Sequence, residues 1–355
     1  MRVFLISNMY PTLSQPGYGI FVKNVECGLN RFTDVKVVSR AVITGRGKNV
    51  MTKVFKYLKL YFDIVVRFFQ SYDVIYLHFP NQTVPLLRLL YLFKRPPLII
   101  NFHGEDLLYD DYNRCRWLGK QTVRFARTAR ALIVPSDYFK EEAIRRGLPA
   151  SKIYISPSGG IDESIFSHVT ILPRPGGRPH IGFVGRLEES KGIMELLSAI
   201  ERLPFRVKTT IIGYGPLSGK IQAAANDGSI HIINGLKQCE LPAFYSSFDL
   251  FVFPSKRREE SLGLTGIESM ACGTPVVGSN IGGIPTYLKD GYNGYLVRPG
   301  SVDDLVTAIV KYVELPEVEK LLMRRHCLET ARKYYQSNVV RELAKVFYRP
   351  SGGEA

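Results

Sequence analysis

The chain has 355 residues, of which 45% are hydrophobic and 22% charged, and its formal net charge is +15 at pH 7. This composition favours a globular protein with two domains of about 150 to 200 residues each. No segment reaches the roughly 18 uninterrupted apolar residues of a membrane span, the first residues do not resemble a signal peptide, and the scattered cysteines exclude a disulfide framework or a zinc site. We therefore expect a cytoplasmic protein.

Short apolar runs alternate with helical stretches in the first half of the chain. The runs predicted as strands cover residues 3–6, 35–38, 74–77, 98–101 and 131–135. Alternation of this kind indicates βαβ units and a parallel sheet. A stretch rich in proline and glycine follows at residues 165–178 and is the predicted linker between domains. We therefore expect a Rossmann-like domain over residues 1–172.

A glycine loop and two histidines follow strands of this first domain. The loop Pro16-Gly-Tyr-Gly-Ile-Phe21 comes after the first strand, and Gly19 lets its backbone approach a ligand. A flexible loop without a ligand explains the same glycines equally well. His103 comes directly after the fourth strand and is a candidate polar site residue. His78, at the end of the third strand, is interpreted as a packed, hydrogen-bonded histidine.

The strand pattern starts again after the linker. The second series of predicted strands covers residues 180–185, 208–212, 230–234, 250–254, 275–278 and 294–297. It predicts another doubly wound domain over residues 173–334. Two such domains facing each other leave a cleft at the carboxyl ends of their strands, where open α/β sheets bind ligands.

Two cations follow the first strand of the second domain. The segment Phe183-Val-Gly-Arg-Leu-Glu-Glu-Ser-Lys-Gly192 places Arg186 and Lys191 between a strand and a helix. Arginine with its planar fork and lysine as a point charge are suited to clamp a diphosphate. Exposed cations in loops are usually solvated, so the position after a strand is what supports this interpretation.

Two carboxylates bracket the start of a later helix. Glu260 and Glu268 lie in the segment Glu260-Ser-Leu-Gly-Leu-Thr-Gly-Ile-Glu268, a loop that leads from a strand into a helix. The unpaired N–H groups of a helix N-terminus offer a seat for phosphate. Two carboxylates beside that seat suit the hydroxyls of a sugar nucleotide. For Glu268 an alternative stays open, because Thr265-Gly-Ile-Glu268 also fits a capping box.

Together these motifs resemble those of the retaining family 4 glycosyltransferases (glycosyl transferases group 1), which have the GT-B fold of two Rossmann-like domains. Residues 183–192 are similar to the family's Val-Gly-Arg-Leu…Lys-Gly phosphate clamp, and residues 260–268 to its E-x7-E motif. The similarity covers nearly the whole chain. Gly17-Tyr-Gly19 departs from the adjacent glycines usual in that loop, and Ser261-Leu262 stands where Gly-Phe is common.

The resemblance implies a role for each candidate site residue. Arg186 and Lys191 would hold the donor diphosphate and act in catalysis. Glu260 would hold hydroxyls of the donor sugar, Glu268 would bind the ribose, and the catalytic candidate His103 would lie by the transferred sugar. The implied donor-binding set is Gly19, Arg186, Lys191, Glu260, Gly263, Leu264, Thr265 and Glu268. A last helix at about residues 335–350 would pack back on the first domain.

The resemblance also implies the reaction. A hexose or N-acetylhexosamine would pass, with retention, from a nucleotide diphosphate sugar to a hydroxyl of a saccharide or lipid-linked acceptor, as in surface polysaccharide assembly. No Asp-x-Asp metal motif is evident, and Arg186 and Lys191 would supply the positive charge of a metal. We therefore expect no metal and no other cofactor. Another GT-B enzyme, such as a sugar-nucleotide epimerase or a phosphorylase, is the alternative.

Most of the excess positive charge lies in the first domain. Residues 1–172 hold 24 Lys and Arg against 13 Asp and Glu, a net +11, whereas residues 173–355 hold 23 against 19, a net +4. A predicted helix at residues 53–70 has a charged face with Lys53, Lys56, Lys59, Asp63 and Arg67, and an apolar face with Phe55, Leu58, Phe62, Val65 and Phe69.

Two interpretations of this helix remain open, and one of them implies a membrane partner. Basic, aromatic helices bind anionic membranes peripherally, and Arg116, Lys120, Arg124 and Arg127 form a second basic stripe. A helix packed on the sheet, with a solvated charged face, explains the pattern equally well. A nucleic-acid-binding protein would also be basic, but the chain lacks helix-turn-helix, RNP-like and Cys/His signatures. We expect no nucleic-acid partner, and the first interpretation of the helix implies attachment to the inner face of the cytoplasmic membrane.

Overall fold

The computed structural model describes residues 1–15, 17–47, 49–108, 116–166, 177–224 and 228–349. The chain divides into two compact units. Unit 1 comprises Met1–Gly160 together with the C-terminal segment from Gln336, and unit 2 comprises Ile161–Tyr335. Within the described residues, each unit is built on a parallel sheet of six strands with helices on both faces. The α/β class predicted from the sequence is confirmed.

The sheet of unit 1 has the strand order β2-β1-β3-β4-β5-β6. Its strands are β1 (Arg2–Tyr10), β2 (Lys36–Thr44), β3 (Val74–His78), β4 (Leu98–Asn101), β5 (Ala131–Val134) and β6 (Ile153–Ile155). The order changes direction between β1 and β3, and ligands bind outside the carboxyl ends of strands at such a switch point. Ser7 of β1 pairs with His78 of β3, which pairs with Asn101 of β4. These strand ends therefore lie side by side.

Helices cover both faces of this sheet. They are α1 (Ile20–Phe32), α2 (Val50–Phe68), α3 (Val84–Leu90), α4 (Arg116–Ala126), α5 (Asp137–Arg145) and α13 (Gln336–Tyr348). Helices α1 and α13 share one core cluster, whereas α2 to α5 pack on the opposite face. Gln336 Nε2 donates to the Asn24 carbonyl at 2.8 Å. A Cβ at Gly28 would lie 2.7 Å from Val340 Cγ1, so this glycine lets α13 lie close against α1.

Helix α2 carries two apolar faces. Leu60, Ile64 and Phe68 are buried in the core and attach the helix to the sheet. The apolar face identified from the sequence is exposed instead: Phe55 is 65% exposed, Leu58 57%, Phe62 68%, Val65 39% and Phe69 58%. The helix therefore does pack on the sheet, as in the alternative interpretation, but through a different set of residues from the apolar face identified in the sequence.

The sheet of unit 2 has the strand order β12-β11-β10-β7-β8-β9. Its strands are β7 (His180–Val184), β8 (Lys208–Ile212), β9 (Ile230–Ile233), β10 (Leu250–Phe253), β11 (Val276–Ser279) and β12 (Gly294–Val297). The switch point lies between β7 and β10, which pair directly through Leu250 with Ile181 and Phe251 with Gly182. Segments that follow these two strands therefore emerge next to each other.

The helices of unit 2 are α6 (Glu163–Phe166), α7 (Ile193–Glu201), α8 (Ser218–Ala224), α9 (Leu241–Ser247), α10 (Leu264–Ala271), α11 (Val302–Val313) and α12 (Glu317–Arg332). Helices α7 and α11 contribute to one core cluster, and α9, α10 and α12 to another. Throughout the described part of the chain, helices that combine the length and the apolar character needed to cross a bilayer are absent.

The boundary between the units lies at Gly160 and Ile161, earlier than the predicted boundary after residue 172. Ile161 belongs to unit 2 because its N–H donates to the Tyr334 carbonyl at 2.9 Å, and Phe166 is fully buried in a unit 2 core. Most of the predicted linker, residues 167–176, lies outside the described residues.

Candidate functional site

The predicted residues of unit 2 meet at the switch point of its sheet. Arg186 and Lys191 follow β7, whereas Glu260 follows β10 and precedes α10. Lys191 Nζ lies 2.5 Å from Glu260 Oε2, and the two side chains are only 15% and 12% exposed. Residues 69 positions apart in sequence thus form a nearly buried ion pair at the carboxyl ends of adjacent strands.

The environment of Glu260 keeps its carboxylate ionised. Burial acts to raise the pKa of Glu260, but the Lys191 ammonium, Arg257 and a hydrogen bond from Ser255 hold it below its ordinary value. Ser255 Oγ donates to the same oxygen as Lys191, at 3.0 Å. A lysine ammonium has three donors, so the pair with Glu260 leaves donors for a further acceptor.

Glycines fix the loop that carries Glu260. The Gly283 N–H donates to the Glu260 carbonyl at 2.8 Å. A Cβ at Gly282 would lie 2.5 Å from that carbonyl oxygen, and a Cβ at Gly283 would overlap the Ser261 carbonyl. The loop thus rests directly on a neighbouring backbone, which orients the carboxylate toward Lys191.

Gly192 fixes the position of Lys191 by a similar close backbone contact. It has φ 71° and precedes the first residue of α7. A Cβ at this position would overlap the carbonyl oxygen of Pro254, the residue after β10. The missing side chain lets the turn after β7 lie against the end of β10, and this contact places Lys191 beside Glu260.

Arg186 is more exposed than Lys191 and has a different partner. Its guanidinium lies 2.5 Å from Glu188 Oε2, and its side chain is half exposed. The other Glu188 oxygen accepts a hydrogen bond from Ser190 at 2.9 Å and lies 3.6 Å from Arg257. A second group of charges, of which Arg186 is the accessible member, therefore lies in the same two loops as the buried pair.

The start of α10 combines three of the predicted residues. Gly263 precedes the helix with φ 77° and no side-chain cap, so Leu264 and Thr265 begin the helix with the unpaired N–H groups of a first turn. A Cβ at Gly263 would overlap the Phe253 ring, and the Tyr287 hydroxyl donates to the Gly263 carbonyl at 3.2 Å. Such a helix start can bind an anion.

Glu268 lies one turn further into α10, where it is 5% exposed. It does not form the capping box with Thr265, because the helix begins at Leu264 and the carboxylate turns elsewhere. Its two oxygens accept hydrogen bonds from Gln238 Nε2 at 2.9 Å and from the Tyr245 hydroxyl at 3.1 Å. Burial raises the pKa of Glu268, and these two hydrogen bonds partly offset the rise. The capping-box interpretation is wrong, and the ribose contact stays a prediction.

In unit 1, Gly19 is required by packing. It precedes α1 with φ 71°, and a Cβ would lie 2.7 Å from the Met9 carbonyl carbon and 2.8 Å from the Tyr10 nitrogen. The glycine therefore lets the loop return across the end of β1. Its predicted approach to a phosphate stays a prediction.

His103 and His78 form a neutral pair at the carboxyl ends of β3 and β4. His78 Nδ1 lies 2.9 Å from His103 Nε2, and both rings are buried. The interpretation of His78 as a packed, hydrogen-bonded histidine is confirmed. Burial lowers the pKa of His103 to about 3, and burial together with the neighbouring His103 lowers that of His78 well below its ordinary value. Neither ring carries a charge at neutral pH.

The turn after His103 is held by Asp106. Its Oδ1 accepts hydrogen bonds from the backbone N–H groups of His103 and Gly104, both at 2.9 Å. Burial raises the pKa of Asp106 to about 7, although these hydrogen bonds oppose the rise. Phe79, with the unusual φ of 51°, stacks on the His103 ring with centroids 4.7 Å apart. This cluster fixes His103 as a neutral hydrogen-bonding group.

Several residues of these sites were missed from the sequence. Ser255 and Arg257 follow β10 in the same loop as Glu260, so their position after a strand was an available signal. Phe79 directly follows β3 and had the same signal. Gln238 and Tyr245 carry no such signal, because their contacts with Glu268 depend on tertiary packing.

Two family models match the chain. The model of glycosyl transferases group 1 matches residues 166–334, and that of Glycosyltransferase Family 4 matches residues 24–163. The first match contains Arg186, Lys191, Glu260 and Glu268, and the second contains His103. Nearly all of unit 2 is therefore covered by one model, and most of unit 1 by the other.

Individual proteins are similar as well. Sulfoquinovosyl transferase SQD2 of Arabidopsis thaliana is 27% identical over 251 residues, which cover 66% of this chain and 49% of that protein. The GDP-mannose-dependent alpha-(1-6)-phosphatidylinositol monomannoside mannosyltransferase of Mycolicibacterium smegmatis is 35% identical over 146 residues, or 38% of each chain. The match thus spans half or less of the length of these relatives.

A solved structure shares the fold over the full length. The crystal structure of Alr3699/HepE of Anabaena in complex with UDP matches with a TM-score of 0.77 at 18% identity and covers 98% of this chain and 99% of that one. Together with the two parallel sheets, this match confirms the predicted GT-B fold.

We predict that Gly192→Ala lowers the free energy of unfolding by about 2 to 5 kcal/mol, because it adds left-handed backbone strain to overlap with Pro254. Gly219→Ala is the control, since a Cβ at this position in α8 meets nothing within 4 Å. That substitution should leave stability unchanged or slightly higher. Urea denaturation measures both, and equal stability of the two variants would contradict the role of Gly192.

Proposed function

The chain belongs to the glycosyl transferases group 1 family, and we propose that it is a retaining glycosyltransferase. It moves a hexose or N-acetylhexosamine from a nucleotide diphosphate sugar to a hydroxyl acceptor. The observation that carries this proposal is the nearly buried Lys191–Glu260 pair at the switch point of unit 2. Glu260 lies in the loop that leads to the uncapped start of α10.

The diphosphate of the donor is assigned to the positive groups of this region. Lys191 keeps donors beyond its bond to Glu260, and the half-exposed Arg186 offers a planar fork for phosphate oxygens. The first N–H groups of α10, at Leu264 and Thr265, add a helix N-terminus. Charge-assisted hydrogen bonds of this kind are roughly twice as strong as neutral ones.

The two glutamates are assigned to hydroxyl groups of the donor. Glu260 is ionised and acts as an acceptor for the sugar hydroxyls, while its contact with Lys191 holds the lysine in place. Glu268 accepts hydrogen bonds from two neutral donors, Gln238 and Tyr245. The ribose hydroxyls are donors of the same kind and would replace the half-buried Gln238 amide.

The reaction itself requires stabilisation of the departing nucleoside diphosphate. Negative charge develops on the phosphate oxygens as the bond between the sugar and the diphosphate breaks. The positive charges of Lys191 and Arg186 stabilise this negative charge. Glu260 is unsuited to act as a glycosidase acid, because its lowered pKa keeps it deprotonated. We assign the acceptor proton to the leaving phosphate, with attack from the front face. The same two cations supply the positive charge without a metal.

The proposed acceptor is a saccharide or lipid-linked molecule at an anionic membrane, to which unit 1 attaches peripherally. The support is the exposed apolar face of α2, bordered by Lys59, which is 75% exposed. A helix that has already buried one apolar face gains nothing by exposing a second to water. The mycobacterial relative, named for a phosphatidylinositol mannoside, agrees with a lipid acceptor.

We predict that a nucleoside diphosphate raises the melting temperature of the protein and that Lys191→Ala and Arg186→Ala reduce this shift. Loss of one charge-assisted hydrogen bond weakens binding about tenfold or more. Lys208→Ala is the control, because Lys208 is an exposed cation at the amino end of β8, the opposite edge of the same sheet. If a thermal-shift titration gives the same melting-temperature shift for all three variants and the unsubstituted protein, Lys191 and Arg186 do not bind the diphosphate.

Retention and metal independence have a common test that needs no acceptor. Slow hydrolysis of the donor by water should release a sugar with the anomeric configuration of the nucleotide sugar, as followed by proton NMR before mutarotation. The rate should be the same in a chelator, because Lys191 and Arg186 carry the charge. An inverted product, or a rate that requires magnesium, contradicts the proposal. A nucleotide sugar converted to its epimer identifies the alternative enzyme class.

For the membrane, we predict that Leu58→Ser weakens binding to vesicles that contain phosphatidylglycerol about fivefold to tenfold, since burial of one leucine contributes about 1 to 1.5 kcal/mol there. Leu322→Ser is the matched control, because Leu322 in unit 2 is 50% exposed, close to the 57% of Leu58. Vesicle cosedimentation measures both. Equal binding of the two variants would show that α2 does not contact the membrane.

A further inference from the structure

A cavity lies in unit 1 at the edge of the sheet opposite to His103. It has a volume of about 830 Å³ and is bordered by the residues that lead into β4, β5 and β6. A cavity of this size falls within the range of small-molecule sites, about 300 to 1,000 Å³. Because the strands are parallel, their amino ends lie away from the switch point, so this cavity is separate from the Gly19 and His103 region.

The cavity is lined by cations without a carboxylate. Arg88, Arg95, Arg130 and Lys152 contribute to its wall, and none of the described lining residues is acidic. Like charges that converge in one cavity repel each other, and an anion between them relieves the repulsion. The charge pattern therefore favours an anionic ligand.

Three of these cations are held in place by the backbone. Arg95 Nε donates to the Tyr91 carbonyl at 3.3 Å. Lys152 Nζ donates to the Ala129 carbonyl at 2.9 Å and to the Arg127 carbonyl at 3.0 Å. Arg130 Nη2 donates to the Phe347 carbonyl at 2.6 Å. The Nε atom of Arg130 is buried and has no hydrogen-bond partner among the described residues. Lys152 and Arg130 nevertheless keep further N–H donors for an anion.

Exposed apolar side chains at the rim of the cavity indicate that the anion belongs to a membrane lipid. Leu92 belongs to the lining and is 73% exposed, and its neighbours Leu89 and Phe93 are 56% and 74% exposed. Protruding apolar side chains beside cations are typical of protein surfaces that insert into the headgroup region of a membrane. Tyr91 and Phe125 in the wall add an aromatic surface for the less polar part of a headgroup.

We propose that this cavity binds the phosphate of an anionic lipid headgroup, with Leu92 and Phe93 inserted beside it. Arginine forks match the geometry of phosphate oxygens, and Arg88 and Arg95 are the exposed members of the set. The inference rests on the proposed membrane attachment of unit 1 and is independent of the donor site in unit 2. It assigns to the membrane contact a specific headgroup pocket in addition to the apolar face of α2.

The test compares Arg95→Gln with Arg31→Gln in binding to phosphatidylcholine vesicles with and without phosphatidylglycerol. Arg31 is an exposed cation of unit 1 at the end of α1, on the other face of the sheet, so both variants lose one charge. Arg95→Gln should weaken binding to the anionic vesicles about tenfold, as expected for one charge-assisted hydrogen bond. Arg31→Gln should leave binding nearly unchanged. Equal losses in the two variants would indicate general electrostatic attraction and overturn the pocket.

A soluble probe separates a lipid from a free phosphate. Glycerol 1-phosphate should bind to the protein weakly and lose its affinity in Arg95→Gln, while Leu92→Ser should weaken vesicle binding only. The lipid assignment would be overturned if glycerol 1-phosphate binds as strongly as the vesicles do and Leu92→Ser changes neither affinity. The melting-temperature shift by a nucleoside diphosphate should persist in both variants, so a failure of the pocket is distinguishable from a failure of the donor site.

Discussion

The proposed donor site depends on one interaction, the nearly buried ion pair between Lys191 and Glu260. Removing two charges from water is costly, and a buried pair seldom adds net stability to a fold. The structure nevertheless forces this pair together, since Gly192 and Gly283 have no side chains where a Cβ would overlap a neighbouring carbonyl. Glycines at these positions thus bring an ion pair of high desolvation cost to the switch point of the sheet, which supports the proposal that a charged ligand binds there.

The two units use the same topology for different chemistry. In unit 2 the strand ends carry charges, with Lys191, Arg186 and an ionised Glu260. In unit 1 the corresponding position holds the neutral His78–His103 pair, whose pKa values burial keeps low. One sheet thus offers electrostatic contacts for phosphates, and the other offers uncharged hydrogen-bonding and aromatic groups suited to sugars.

Local sequence patterns predicted the parallel sheets and the strand ends that carry Lys191, Glu260 and His103, because these depend on runs of neighbouring residues. What failed depends on tertiary packing. Glu268 fits a capping box by spacing, but the helix begins at Leu264, two residues earlier than the box requires, and the carboxylate accepts hydrogen bonds from Tyr245 and Gln238 instead. In α2 the pattern identifies apolar residues but not which of two apolar faces packs. The cationic cavity near Arg130 joins segments that are distant in sequence.

The most direct test of the account is a crystal structure of the protein with a bound nucleoside diphosphate. The account predicts phosphate oxygens within hydrogen-bond distance of Lys191 Nζ and of the Leu264 and Thr265 N–H groups, with the Lys191–Glu260 contact retained. It also predicts a ribose hydroxyl at Glu268 in place of the Gln238 amide. A nucleotide bound away from the carboxyl ends of β7 and β10, with Lys191 contacting only Glu260, would contradict it.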